Sequence, residues 1–179
     1  LLAASTASIP IDGVLLIASG TVHLPCYPIK LRASIRAVTL LARLSGTALG
    51  YFPGNRLGFG GREARGVMAD WGNVAHKGNY EVAGSTVNYE QTLARMSTSI
   101  VALTFAADTW APANATQTLI KKAQRSSLTH WHWGRTETQG HDLDHFSWLK
   151  HPNLIAPVIA ERVINPLVAN HSTDQRTSS

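Results

Sequence analysis

The stretch Ser99-Ile-Val-Ala-Leu-Thr-Phe-Ala-Ala107, followed by Asp108, is the part of the sequence that best indicates the fold. Its apolar segment, residues 100–105, predicts a strand of the kind that is buried on both faces of a parallel sheet. Asp108 would then lie just beyond the carboxyl end of that strand, the edge at which active sites of open α/β sheets lie. Asp108 is therefore a candidate functional residue, although a carboxylate this close to a following helix can also serve only as its N-cap.

The rest of the pattern gives the order of elements expected of an α/β protein. Residues 14–18 predict a second buried strand and residues 128–133 a third, on whose surface His130 and His132 are expected. Helices are predicted for residues 1–6, 30–49, 62–76, 113–125 and 153–163. The fold class is therefore α/β, with about three parallel strands, flanking helices and a helical cap insertion at about residues 21–95. Residues 1–169 are assigned to one domain, and the polar residues 170–179 to a disordered tail.

Composition excludes several classes of function. The chain has 179 residues, of which 44% are hydrophobic and 15% charged, a balance typical of a globular domain. Its net charge of +5 is spread over separate segments without an aromatic-basic motif, so nucleic acid is not an expected partner. No apolar run approaches the roughly 20 residues that span a bilayer. The single cysteine, Cys26, excludes an internal disulfide and is compatible with the cytoplasmic location that we expect.

His145, in Asp144-His-Phe-Ser-Trp148, is the second candidate functional residue. An acid after a strand and a histidine further along form the second half of the order Ser…Asp…His, so Asp108 and His145 are expected to approach each other. His141 and His145 also suggest a metal site, because histidines four residues apart share a helix face. The glycine at position 140 argues against a helix there and no third ligand is evident, so no metal or other cofactor is expected.

The first half of that order is absent from the sequence. In enzymes that use the order Ser…Asp…His on an α/β sheet, the nucleophilic serine lies in Gly-x-Ser-x-Gly between a strand and a helix. This pattern does not occur in the chain. The chain begins with Leu1-Leu-Ala-Ala rather than with methionine. Together these observations predict a C-terminal fragment whose nucleophile lies upstream of residue 1 and which is catalytically incompetent by itself.

The predicted cap is rich in aromatic residues and contains one basic amphipathic helix. The aromatic side chains either form the core of the cap or line an apolar pocket over the active site: Tyr27, Tyr51, Phe52, Phe59, Trp71 and Tyr80. In residues 30–49, apolar positions recur with helical spacing, at Leu31, Ile35, Val38, Leu41 and Leu44. This stripe is explained equally well by packing within the cap and by contact with a membrane surface.

Several stretches resemble predicted bacterial α/β-hydrolases related to lysophospholipase and serine-aminopeptidase-like enzymes. The more specific ones are Val14-Leu-Leu-Ile-Ala-Ser-Gly20, with Leu1-Leu-Ala-Ala before it, and Leu49-Gly-Tyr-Phe-Pro-Gly54, with Arg56-Leu-Gly58 after it. The less specific ones are Ala69-Asp-Trp71, Phe105-Ala-Ala-Asp-Thr-Trp-Ala-Pro112 and Asp144-His-Phe146. The resemblance covers nearly all of residues 1–163.

The resemblance implies that Asp108 holds the acid position of a catalytic triad, that His145 is the general base, and that Leu1 falls in the helix after the nucleophilic serine. Relatives often carry two adjacent acids where this chain has Ala107-Asp108, which leaves Asp108 as the one candidate. In the implied fold, the strand from Val14 to Ala18 presents the edge that the nucleophile-bearing strand would cover. The expected partner is therefore the missing N-terminal segment, or a second copy that associates through this edge.

Three functions are compatible with the sequence. The first is hydrolysis of an ester, thioester or amide of a small-molecule substrate with an apolar part, by a serine hydrolase of which this chain is the C-terminal part. The second is a non-catalytic remnant or small-molecule-binding module that retains the cap pocket. The third is metal-dependent hydrolysis at His141 and His145.

Overall fold

A computed structural model describes residues 1–56 and 61–166. In chain order its elements are α1 (Leu2–Ser5), β1 (Gly13–Ile17), α2 (Ile29–Leu49), β2 (Tyr51–Pro53), β3 (Arg62–Ala64), α3 (Arg65–Lys77), α4 (Tyr89–Arg95), β4 (Ser99–Phe105), α5 (Ala113–Ile120), β5 (Leu128–Trp133) and α6 (Pro152–Ile159). Short 3₁₀ turns lie at Leu24–Cys26, Gly54–Arg56 and Ser147–Lys150, and a π-helical turn, Ala160–Ile164, follows α6.

The core of the fold is a parallel sheet of three strands in the order β1-β4-β5. Gly13 pairs with Ser99 at the start of the first pair of strands, and Phe105 pairs with Trp133 at the end of the second. Each parallel connection carries helices, as crossover geometry requires. The predicted α/β class with three parallel strands is therefore confirmed.

The two faces of the sheet bury alternate residues of β4. Ile100 and Ala102 face a cluster that includes Ile120 of α5. Leu103 and Phe105 face the opposite way, into a cluster closed by α6 and the loop before it. This period of two is the pattern expected of a strand, and its two apolar faces explain why the run reads as continuously apolar in the sequence.

A helical insertion connects β1 to β4. Within it, α2 packs against α3, and both helices end at a glycine in the left-handed region, Gly50 (φ 76°) and Gly78 (φ 74°). A short antiparallel hairpin of β2 and β3 lies between them. Phe52 of this hairpin is buried with Ala42 and Met68, so the insertion has its own small core.

Several predicted details of the elements are wrong. Residues 62–64 form β3 rather than the start of a helix, because they pair with β2. The helix predicted for residues 113–125 ends at Ile120, and α4 was not predicted as a helix. All five residues of β1 are half-buried, not buried, because this strand lies at the edge of the sheet.

The remaining predictions concern the C-terminal tail, Phe59, the apolar stripe of α2 and the absence of a membrane span. The expected tail, residues 170–179, and Phe59 lie outside the described residues. Along the apolar stripe of α2, which was explained equally well by packing within the cap and by contact with a membrane surface, Leu31, Ile35 and Val38 are half-buried, whereas Leu41 and Leu44 are exposed. In the described part of the chain, no helix combines the length and the apolar character needed to cross a membrane.

Candidate active site

Asp108 lies three residues beyond β4, in a turn that its own carboxylate holds together. Oδ1 accepts hydrogen bonds from the backbone N–H groups of Trp110 (2.8 Å) and Ala111 (2.9 Å), and the residue is only 3% exposed. The N-cap of α5 is Pro112, so the alternative prediction that Asp108 caps this helix is wrong. These two bonds fix one carboxylate oxygen and leave Oδ2 to orient a second group.

That second group is His145, on the loop after β5. Its Nδ1 lies 3.1 Å from Asp108 Oδ2, so the expected approach of the two side chains is observed. When Nδ1–H donates to the carboxylate, the neutral imidazole keeps its lone pair on Nε2. The Trp110 indole stacks on the imidazole with 6.2 Å between centroids, and the Phe146 ring meets it edge-on at 4.8 Å. The pair can therefore accept a proton at Nε2 with its tautomer and orientation fixed.

Local hydrogen bonds organise the loop that carries His145. Asp144 Oδ1 accepts from the N–H groups of Ser147 (2.7 Å) and Phe146 (3.0 Å), and Ser147 Oγ accepts from the Asp144 N–H (2.8 Å). The hydrogen bonds that the Asp144 carboxylate accepts, first among them the one from the Ser147 N–H, lower the pKa of this carboxyl. Leu143, 2% exposed, anchors the same loop in the core. Residues on both sides of His145 thus hold its backbone in place.

His145 lines an open cavity of about 700 Å³ at the carboxyl edge of the sheet. An apolar cavity of about 240 Å³ adjoins it, and the two share four lining residues: Val22, Tyr27, Trp71 and Trp110. Leu31, Ile35 and Val38 of α2 form the apolar wall of the smaller cavity. Its volume exceeds the roughly 150 Å³ that accommodate benzene in an apolar protein interior. A molecule that reacts beside His145 therefore has room for an apolar group under α2.

The aromatic residues of the insertion divide between these roles. Tyr27 and Trp71 line the two cavities, whereas Phe52 is 1% exposed in the small core. Tyr51 packs under the Arg62 guanidinium, 4.1 Å from its ring centroid. Some of the aromatic residues therefore line cavities and others form the core of the insertion, so that the two alternatives of the sequence analysis apply to different residues.

Ser19 is a residue of this site that the sequence analysis did not single out. It follows β1 and lines the larger cavity together with His145. Its Oγ donates a hydrogen bond to the Ile17 carbonyl at 2.9 Å. The preceding Ala18 has a φ of 46°, a left-handed conformation that costs on the order of 1–3 kcal/mol for a residue with a Cβ. The only signal for this turn was the end of an apolar run at Ala18-Ser19-Gly20.

The Tyr27 hydroxyl connects the segment after β1 with the turn after β4 by hydrogen bonds. This hydroxyl lies 2.9 Å from the Thr21 carbonyl and 3.0 Å from the Trp110 carbonyl, and it donates its proton between them. Burial, reinforced by the charge of Asp108, raises the pKa of the Tyr27 phenol, which therefore remains a donor at neutral pH. Tyr27 thus holds the backbone beside the Asp108 turn.

Tyr27→Phe should lower the free energy of unfolding by about 1–2 kcal/mol, because the buried Thr21 carbonyl and the partly buried Trp110 carbonyl lose their donor while the ring is retained. Urea denaturation of the two proteins measures the difference. Tyr51→Phe is the matched control, since the contact of Tyr51 with Arg62 is made by its ring. Equal losses of unfolding free energy in both variants would contradict a stabilising role of the Tyr27 hydroxyl.

A second polar cluster lies on the α5 side of the sheet. The buried hydroxyl of Thr104 is 2.9 Å from His130 Nε2 and 2.9 Å from His132 Nδ1, while Gln117 Nε2 lies 3.3 Å from His130 Nδ1. These contacts form one ordered chain if Gln117 donates to His130, His130 to Thr104 and Thr104 to His132. Both histidines lie on β5 as predicted, with His132 exposed and His130 half-buried, and each is in addition within hydrogen-bond distance of the buried Thr104 hydroxyl.

This cluster predicts a dependence of stability on pH. Burial, followed by the nearby His132, lowers the pKa of His130 from its usual 6.5. A lowered pKa means that the unfolded chain binds the proton more tightly, so stability is full above pH 6.5 and falls as the pH drops below that value. His130→Gln should flatten this fall, measured as the change in Tm between pH 7.5 and pH 5.5. The exposed His76→Gln variant should leave it unchanged; an equal flattening in both would contradict the assignment.

The metal alternative is not supported by the positions of the histidines. His141 packs against His151, with 4.4 Å between ring centroids, whereas His145 contacts Asp108. Among residues 1–56 and 61–166 there is no cluster of three or more His, Cys, Asp or Glu residues that could hold an ion.

Comparison of the chain with protein-family models, with curated proteins and with solved structures gave no match. The site is therefore interpreted from its own geometry.

Proposed function

We propose that this chain supplies the acid and the histidine of a serine hydrolase that acts on an ester, thioester or amide. The observation that carries the proposal is the 3.1 Å contact between His145 Nδ1 and the buried carboxylate of Asp108 beside an open cavity. A carboxylate fixed by backbone N–H groups on one oxygen and by a histidine on the other stabilises the imidazolium that acyl transfer creates.

In the proposed reaction, His145 Nε2 takes the proton of the serine hydroxyl as the serine oxygen bonds to the carbonyl carbon of the substrate. The imidazolium, oriented by Asp108, then gives that proton to the leaving alcohol, thiol or amine as its bond to the carbonyl carbon breaks. Water hydrolyses the acyl-enzyme by the same route: His145 takes a proton from water and returns it to the serine. The donors that stabilise the oxyanion accompany the nucleophile.

We propose that the serine reaches the site on a strand that pairs with β1. Within the described sheet, β1 is paired with β4 on one side only, and its residues are half-buried. A parallel strand added there would end at the same edge of the sheet as Asp108, and the turn after it would lie beside the cavity. An N-terminal segment is the proposed source. A second copy could pair by the same backbone geometry, but it lacks the Gly-x-Ser-x-Gly pattern.

The proposed substrate is a small molecule with an apolar part. The apolar cavity of about 240 Å³ under α2 adjoins the space beside His145 and supports this class. The same cavity favours a second candidate, a non-catalytic module that binds an apolar small molecule, since it needs no nucleophile. For both functions a cytoplasmic location is proposed, with which the single cysteine, Cys26, is compatible.

A fluorophosphonate probe tests the proposed function. The 179-residue chain alone should show neither labelling nor ester turnover, whereas the chain co-produced with the segment encoded directly upstream should gain both, with the label on a Gly-x-Ser-x-Gly serine. Labelling of Ser19 in the chain alone, abolished by Ser19→Ala, would place the nucleophile within this chain and contradict the proposal. An intact gene without the motif, combined with retained binding of an apolar ligand, would favour the binding module.

A further inference from the structure

The helix α2 exposes an apolar surface that the rest of the described chain does not cover. We call it the outer face of α2, and it consists of Ala33, Arg36, Ala37, Leu40, Leu41, Arg43 and Leu44. Leu40 is 58% exposed, Leu41 50% and Leu44 59%. Single exposed leucines are ordinary, but three on adjacent turns of one helix form a patch of the kind that marks an interaction surface.

Packing within the insertion does not explain why leucines occur on the exposed side of α2. The buried residues of α2 are Thr39, Ala42 and Gly46, which lie on the opposite side of the helix. Small residues there allow close approach of α3, and a Cβ on Gly46 would lie 3.1 Å from the Arg65 side chain. The helix is thus apolar on two sides, and only the inner one is used by the fold.

The charge on α2 defines what can cover the outer face. The helix carries Lys30, Arg32, Arg36 and Arg43 and no acidic residue. Arg32 is engaged, since its guanidinium donates to the carbonyls of Tyr27 and Pro25. Arg36 and Arg43 flank the leucines, and neither takes part in the ion pairs found in the described part of the chain. The matching surface must therefore be apolar and negatively charged at once.

We propose that the outer face of α2 docks on the surface of an anionic lipid bilayer, with the helix lying in the plane of the interface. An interfacial helix buries an apolar face at the boundary between headgroups and acyl chains while basic side chains contact anionic headgroups. The outer face runs from Ala33 to Leu44, twelve residues of α2, and gives an interfacial contact about 18 Å long. This proposal does not depend on the hydrolase assignment, because no residue of the outer face belongs to the Asp108–His145 site.

Two other occupants fit the surface less well. A second copy docked through the same face would bring Arg36 and Arg43 of both chains together without any acidic residue from α2 to pair them, which disfavours association. An acidic protein partner would satisfy the charge, but exposed side chains along one face of a single helix form a ridge, whereas protein partners bind most tightly where an anchoring side chain enters a pocket.

Co-sedimentation of the 179-residue chain with vesicles tests the proposal. Vesicles that contain phosphatidylglycerol in phosphatidylcholine should bind the chain, and binding should weaken in high salt or with pure phosphatidylcholine. Each arginine should contribute about fivefold to the partition coefficient, so Arg36→Gln with Arg43→Gln should lower it about 25-fold. Leu40→Ser with Leu44→Ser should lower it at least about tenfold, because both side chains lose their insertion into the interface.

Matched controls separate this surface from general properties of the chain. Leu149 is 63% exposed and Arg125 is also exposed, both away from α2, so Leu149→Ser and Arg125→Gln should bind vesicles as the parent chain does. Far-UV circular dichroism verifies that each variant is folded. Equal vesicle binding by the α2 variants and the controls, or no binding to anionic vesicles, would overturn the proposal. Self-association without lipid that the α2 substitutions abolish would overturn it in favour of a second copy.

Discussion

Replacement of His145 by alanine should lower kcat for ester hydrolysis by about 10³-fold or more in the protein that contains the nucleophilic serine. The reason is the loss of the one imidazole that, among residues 1–56 and 61–166, contacts Asp108 beside the cavity, so that no group takes the proton of the serine. The ring is 29% exposed and contributes little to the core, which makes the effect one on kcat rather than on folding. Steady-state kinetics with an activated ester measure it.

His151→Ala is the matched control for this loss. His151 is a second histidine of the same region, and its ring packs against His141 instead of Asp108. We expect this variant to retain kcat within a few-fold. A similar loss in both variants would indicate disturbance of the whole loop, and full activity of His145→Ala would remove the general-base assignment.

Asp108→Asn should also cause a large loss of activity, with kcat for ester hydrolysis lowered by up to about 10⁴-fold. The asparagine oxygen would still accept the hydrogen bonds from the N–H groups of Trp110 and Ala111, so the turn is preserved. Its NH₂ group would then face His145 Nδ1 and donate to it. This forces the imidazole into the tautomer with its proton on Nε2, which can no longer accept a proton from the serine. Asp108→Ala is less informative, because it also removes both bonds of the turn.

The control for Asp108→Asn is a neighbouring carboxylate outside the cavity. Asp142 is exposed on the same loop as His145 and pairs with Arg135. Asp142→Asn should therefore leave kcat within a few-fold of the parent value, because exposed ion pairs contribute little. If Asp108→Asn retains activity to the same degree, the proposed orientation of His145 is wrong.

The sheet was predictable from the sequence because its signals are local. The central strand shows an apolar run with Asp108 after it, and β5 shows alternation of polar and aromatic residues from His130 to Trp133. The approach of Asp108 to His145 followed as well, since both lie beyond the carboxyl ends of neighbouring parallel strands. Here the order of elements is enough to place two side chains at one edge.

Other features depend on contacts between distant segments and left little trace in the sequence. The hairpin of β2 and β3 has strands of three residues each, too short for a periodic signal, and is formed by pairing across residues 54–61. The apolar stripe of α2 did not show which of its residues would be exposed; Leu41 and Leu44 are exposed because small residues on the inner side of the helix provide its packing. The hydrogen bonds that Thr104 forms with His130 and His132 likewise arise only when β4 and β5 are in register.

The central claim is that Asp108 and His145 act as one acid–histidine pair. The double variant Asp108→Asn with His145→Ala tests it most directly, through kcat of the protein that contains the nucleophile. If Asp108 acts only through His145, it contributes nothing once the imidazole is gone, because residues that work as a unit are not additive. We predict that the double variant loses about as much activity as His145→Ala alone, within a few-fold. Losses that multiply, or single variants that both retain ester turnover, would contradict the assignment of Asp108 and His145 as one acid–histidine pair.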